Sequence, residues 1–210
     1  MMRSASRHLI LLELVTIYSL VQTYIWRWQY TRPRIVWLIL MALVASHFWH
    51  RDTPWSLGFR FDNFVAVTGR TALWAIPFFG VLLLAGFWTG RLWNLPLQSG
   101  ALWASLRYTL WGLFQQYGLQ GFFHNRLMAI VSDRLRSSAF NGIIFMSLHL
   151  PNPVLMVFTL LGGLVLSWLY AQSRNLFVLG IFHGMTGLLL SNTFPKAWLH
   201  NMRVGPGYFR

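Results

Sequence analysis

The chain has 210 residues, of which 56% are hydrophobic, 17% aromatic and only 10% charged. A soluble domain carries about 25% charged residues, so too little charge is present to cover a water-facing surface, and most of the surface must face lipid. The net charge of +13, from 17 Lys+Arg against 4 Asp+Glu, is spread as single arginines between apolar runs; this suits lipid headgroups and excludes the basic stripe that binds nucleic acid.

In chain order, Met1 to Arg7 is basic and an apolar run follows at 9–28. It resembles a signal peptide, but Tyr24, Trp26, Arg27 and Trp28 stand where small cleavage-site residues would be needed. The run therefore reads as a retained first span ending in an aromatic and basic belt. Further apolar runs cover 35–49, 72–88, 101–123, 140–150, 154–170 and 176–190. The breaks between them carry turn chemistry, among them Thr31-Arg32-Pro33, Asp52-Thr53-Pro54, Gly90 to Pro96 and Pro151-Asn152-Pro153. Spans need roughly 20 apolar residues, so the expected fold is an all-α, polytopic transmembrane helical bundle of about seven spans. The run at 140–150 is short for a span and is expected to be extended or partly buried. Three parts follow: 1–52 as two N-terminal transmembrane helices, 53–192 as a transmembrane core opening on a polar interfacial loop (53–63), and 193–210 as a C-terminal tail. With the N-terminus cytoplasmic, nine Lys/Arg fall on that side and eight on the other; the dense charge near Arg134 and Arg136 tilts the orientation to N-in. No cysteine is present, which excludes disulfides, thiolate metal sites and a Cys nucleophile.

Polar groups at membrane depth are costly and mark function. Gln115, Gln116 and Gln120 lie within two helical turns, and Gln116 and Gln120, four apart, share a face. His149 ends Phe145-Met-Ser-Leu-His149, and His183 sits mid-run beside Gly184, Thr186 and Gly187. Taken singly, each is better read as a hydrogen-bonding strut between helices. Taken together, they are polar sites on three late spans that can converge on one pocket. Glu13, a carboxylate inside an apolar run, is expected to reach water or meet Arg7 or His8.

The order of these motifs resembles the CPBP family of intramembrane proteases, also called the CAAX-processing or Abi family. Its pattern is Glu-Glu-x-x-x-Arg, then Phe-x-x-x-His, then His-x-x-x-Asn. Here Gln115-Gln116-Tyr-Gly-Leu-Gln120 stands at the first, Phe145-Met-Ser-Leu-His149 matches the second, and His183-Gly-Met-Thr-Gly187 matches the third at its His. Ser56-Leu-Gly-Phe-Arg60, Gly162-Gly163-Leu164, Tyr170 and Asn175-Leu176 resemble softer family features, so the likeness covers about 53–192. The resemblance implies an endopeptidase acting on membrane-associated peptides or proteins, in a membrane, and with the charge count it suggests a bacterial inner membrane. It implies catalytic roles for Gln115, Gln116, His149 and His183, a substrate pocket with Gln120, Phe145 and Gly187, and neither metal nor cofactor.

The departures have physical consequences. A Gln amide has the shape of a carboxylate but cannot take a proton from water, and general acid–base assistance is worth about 10²–10⁴-fold. That factor is lost unless another base serves, and the candidates are His149 and His183, since imidazole with an ordinary pKa of about 6.5 suits the task. The loss of both carboxylates together with the Arg leaves no stranded charge in the membrane. A pseudoprotease that binds without chemistry, such as a bacteriocin-immunity-type protein, is the alternative. A third reading, three imidazoles (His124, His149 and His183) around zinc, has no spacing signature behind it.

Overall fold

The computed structural model describes residues 4–91 and 101–210, with side chains at 7–91 and 102–210. Among the described residues there are helices and turns and no strand. The long helices are α1 (Ser4–Thr23), α2 (Val36–Trp49), α4 (Phe64–Trp88), α5 (Ala101–Gln116), α7 (Arg134–Ser147), α8 (Pro153–Gln172) and α9 (Leu176–Thr193). Short helices α3 (Pro54–Leu57), α6 (Asn125–Ile130) and α10 (Lys196–Leu199) complete them. Each of the seven apolar runs coincides with a helix. Arg3, and the break at Gly90 to Pro96 beyond Arg91, lie outside the described residues.

Arg7–Trp28, Phe64–Trp88, Pro153–Gln172 and Leu176–Thr193 are by themselves long and apolar enough to cross a bilayer. Their outward faces and that of α2 carry large apolar side chains, such as Leu12, Trp37, Val65, Leu73 and Trp88, in continuous stretches that only lipid can cover. The protein is an integral membrane protein.

The short run at 140–150 is extended backwards into polar sequence. α7 starts at Arg134, where the Asp133 carboxylate accepts from the Arg136 amide at 2.7 Å. Its buried face is Ser137, Ser138, Asn141, Gly142 and Phe145, mostly small and polar groups that hydropathy does not register. Gly142 lets the backbones of α7 and α8 meet, since a Cβ there would stand 3.0 Å from the Leu164 amide nitrogen. The serine hydroxyls donate to the Arg134 carbonyl, so their burial costs little.

The first two helices are tied to the core by charge. Arg126, buried on α6, donates to Asp52 Oδ2 at 2.8 Å and stands 3.3 Å from Glu13 Oε2. His50 also reaches Glu13, at 3.0 Å, and His47 reaches Asp52, at 2.8 Å. Glu13 thus meets Arg126 of α6 and His50 just past the end of α2. Burial works against charge on Asp52, but the hydrogen bonds from Arg126 and His47 prevail and hold its carboxyl below the ordinary range. A carboxyl with a depressed folded-state pKa gives stability that is present above the unfolded value of about 4 and lost as the pH falls through the lower folded value. The gap in melting temperature between wild type and Asp52→Asn should therefore be widest near neutrality and close on acidification below about pH 4. A gap that holds constant down to acid-induced unfolding would show that the Asp52 carboxylate contributes nothing.

Candidate functional site

From Ala101 to Ile130 the chain is one continuous helix whose middle, Tyr117–His124, is wound in wider π turns. Such segments recur at functional sites because they re-aim the residues around them. Here Gln116 faces α9, whereas Gln120 faces α7 and α8. Gln116 is fully buried, and its Nε2 donates to His183 Nδ1 at 2.8 Å. Phe145 on α7 contacts both imidazoles, its ring centroid 4.8 Å from that of His149 and 5.5 Å from that of His183.

Phe145, His149 and His183 border a cavity of about 430 Å³, whereas Gln116 stands behind His183 and does not line it. Gln115, His149, His183, Phe145 and Gly187 line it, together with Tyr108. The remaining wall is mostly apolar and comes from α4, α8, α9, Trp111 of α5 and the tail residues Met202 and Val204. Across the cavity, α4 and α8 meet through two edge-to-face ring pairs, Trp74–Trp168 at 5.2 Å and Phe78–Phe158 at 5.4 Å. An apolar cavity with a few convergent polar groups is the usual form of a small-molecule or peptide site.

Gln120 is not brought to this cavity. It is fully buried in a second network, where its Nε2 donates to Ser167 Oγ at 3.1 Å and its Oε1 accepts from His124 and Asn141. Asn141 also donates to Ser167 Oγ at 2.8 Å, and His124 Nε2 stands 3.4 Å from Ser137 Oγ. The position that the family fills with Arg is thus a neutral cross-tie between α7, α8 and the π segment. His124 belongs to this tie and does not join His149 and His183; among the described residues no group of three or more His, Asp or Glu is placed to hold a metal.

The hydrogen bonds fix what each imidazole can do. His149 Nδ1 lies 2.8 Å from the Phe145 carbonyl oxygen. A carbonyl can only accept, so Nδ1 carries the proton and Nε2 keeps its lone pair. His183 Nδ1 receives the Gln116 amide N–H, so its proton sits on Nε2. The two rings are therefore set with opposite polarity: an acceptor at His149 Nε2 and a donor at His183 Nε2. Gln116 Oε1 has no hydrogen-bond partner although buried.

All four carboxylates of the chain are engaged elsewhere. Glu13 and Asp52 meet Arg126, Asp62 pairs with Arg60 at 2.6 Å, and Asp133 caps α7. None lines the cavity. Sequence reasoning missed Tyr108 and the tail residues Met202 and Val204 of the cavity wall. Nothing in their local sequence marks them, since only the chain's return brings the tail there.

No curated protein and no solved structure matches the chain. Residues 96–189 match the family model described as type II CAAX prenyl endopeptidase, Rce1-like. That stretch, just under half of the chain, holds the Gln115-Gln116 pair, the Phe145-to-His149 motif and His183, and it is similar to the Rce1-like type II CAAX prenyl endopeptidases.

Proposed function

We propose that this protein is an intramembrane endopeptidase that cleaves membrane-associated peptides or proteins, with His149 as the base in place of the family's glutamates. The observation that carries this reading is the opposed polarity of the two imidazoles that Phe145 contacts. In the step proposed, His149 Nε2 takes a proton from water and the hydroxyl oxygen bonds to the peptide carbonyl carbon. The carbonyl oxygen gains the negative charge and accepts from His183 Nε2–H. The C–N bond then breaks, and His149 returns its proton to the leaving amine. Gln115, on the cavity wall, orients water or the carbonyl; Gln116 acts through His183. Membrane-dissolved substrate fits the apolar wall and the ring-closed gap between α4 and α8. The family likeness and the charge count suit a bacterial inner membrane with the N-terminus inside.

The test is cleavage of a labelled peptide library by purified protein in detergent. Wild type should cleave, and His149→Ala should lose about 10²–10⁴-fold, the usual worth of a general base. Wild-type turnover no higher than that of the His149→Ala, His183→Ala double variant would sink the proposal. The engagement of every carboxylate outside the cavity supports a second reading, a pseudoprotease that binds a membrane partner, as an immunity-type protein would. An inert wild type whose partner binding survives Gln115→Ala and Gln116→Ala would favour it.

A further inference from the structure

Residues 194–210 fold back over the end of the bundle that carries the turn between α7 and α8. Asn152, fully buried in that turn, donates from Nδ2 to the carbonyls of Leu199 (2.7 Å) and Arg203 (3.1 Å). The Gly205 amide donates to the Leu150 carbonyl at 2.7 Å, one residue from His149. Gln29, past the end of α1, donates to the Val204 carbonyl at 3.2 Å. Leu199 is 1% exposed and packs with Leu82, Leu155 and Leu190. Between these anchors, His200, Asn201 and Met202 have φ of 46°, 52° and 61°. Three consecutive left-handed L-residues are unfavourable and persist only where the surroundings over-determine them. The product of this arrangement is that Met202 and Val204 form part of the cavity wall.

We propose that residues 194–210 are a strap that shuts the cavity at this end, with Met202 as its plug, so that substrate arrives sideways from lipid between α4 and α8. This rests on the proposed reading of the cavity as the substrate site. It accounts for the expense of the left-handed run, which packs Met202 against the cluster of Leu82, Leu155 and Leu190 and delivers it to the cavity wall. It also couples the strap to chemistry, because the latch bonds attach to the turn that holds His149.

The absence of cysteine makes a clean test available. Gly162 lines the cavity, and a Cβ built there meets nothing within 4 Å, so Gly162→Cys introduces a reporter without crowding. In proteoliposomes, a water-soluble maleimide should label this cysteine slowly. Adding Met202→Ala, which removes the plug but leaves the latch, should speed labelling by about tenfold or more, as should Gly205→Val, because labelling follows the open population. At Gly205, φ is +56° and a Cβ would stand 2.9 Å from Ile25 Cγ2, so valine cannot seat. A membrane-soluble alkyl maleimide should label the otherwise unchanged chain readily. Equal water-soluble labelling in all three chains, or a rate in the otherwise unchanged chain that equals an exposed control cysteine, overturns the strap. Slow labelling by the alkyl reagent overturns the lateral route. Labelling needs no turnover, so a gated cavity without peptide cleavage leaves the strap standing and removes the protease reading.

Discussion

Gly184→Leu is expected to yield no folded protein. The helices α5 and α9 are pressed together until backbone touches backbone. A Cβ on Gly184 would lie 2.6 Å from the Tyr108 carbonyl oxygen and 2.7 Å from Thr109 Cα; one on Gly112 would lie 2.5 Å from the Gly180 oxygen. The obstructing atoms are main chain and cannot swing aside as a flexible side chain would. Overpacking a core usually costs about 1–3 kcal/mol and more where nothing can yield, and small residues at such crossings are what lets spans associate in lipid. Size-exclusion in detergent should show aggregate for Gly184→Leu. Gly80→Leu, where a Cβ meets nothing within 4 Å, should elute and melt like wild type. A well-behaved Gly184→Leu would mean that the two helices do not approach this closely.

Arg126→Met should be nearly as severe, for an electrostatic reason. Removing one member of a buried ion cluster leaves its partners charged and unsolvated, at a cost of about 3–5 kcal/mol. Here the partners are Glu13 and Asp52, whose side chains are 21% and 17% exposed, so the lower part of that range applies. Neutralising everything together should recover most of the loss, because a fully apolar or amide-filled site has no orphan charge. The comparison is thermal unfolding of Arg126→Met against the triple variant Glu13→Gln, Asp52→Asn, Arg126→Met. If the triple variant is no more stable than the single one, Arg126 acts through packing rather than charge.

Hydropathy was enough to read seven helices, because lipid demands long apolar runs and the turns between them carry Pro, Asn and Gly. It placed the start of α7 at residue 140 rather than Arg134, since the buried face there is Ser, Asn and Gly and packs against protein, not lipid. The motif spacing put His149, His183 and Gln115 around one cavity, with Phe145 in contact with both rings. It could not separate Gln116 from Gln120, because an α-helix puts both on one face and the π turns do not. Nor could it foresee that two softer features, the Ser56-to-Arg60 loop and Tyr170 with Asn175, serve each other. Tyr170 donates to the Leu57 carbonyl at 2.9 Å, and Leu176 N to the Gly58 carbonyl at 2.7 Å. They form a clamp outside the cavity, with Gly58 at φ +92° where a side chain would be strained. The cluster around Arg126 was invisible for another reason. Its members come from α1, the end of α2 and α6, and no local pattern links residues 13, 52 and 126.

The amide of Gln116 determines more than the loss of a carboxylate. Amide and carboxylate are isosteric, so exchanging them leaves every helix and contact in place, yet the arrow of the hydrogen bond to His183 reverses. An amide N–H pins the imidazole proton on Nε2; a carboxylate, which can only accept, would draw it to Nδ1 and bare a lone pair on Nε2. One side-chain atom, nitrogen or oxygen, thus chooses whether His183 presents an electrophile or a base. Glutamine at this position therefore amounts to a tautomer setting for His183.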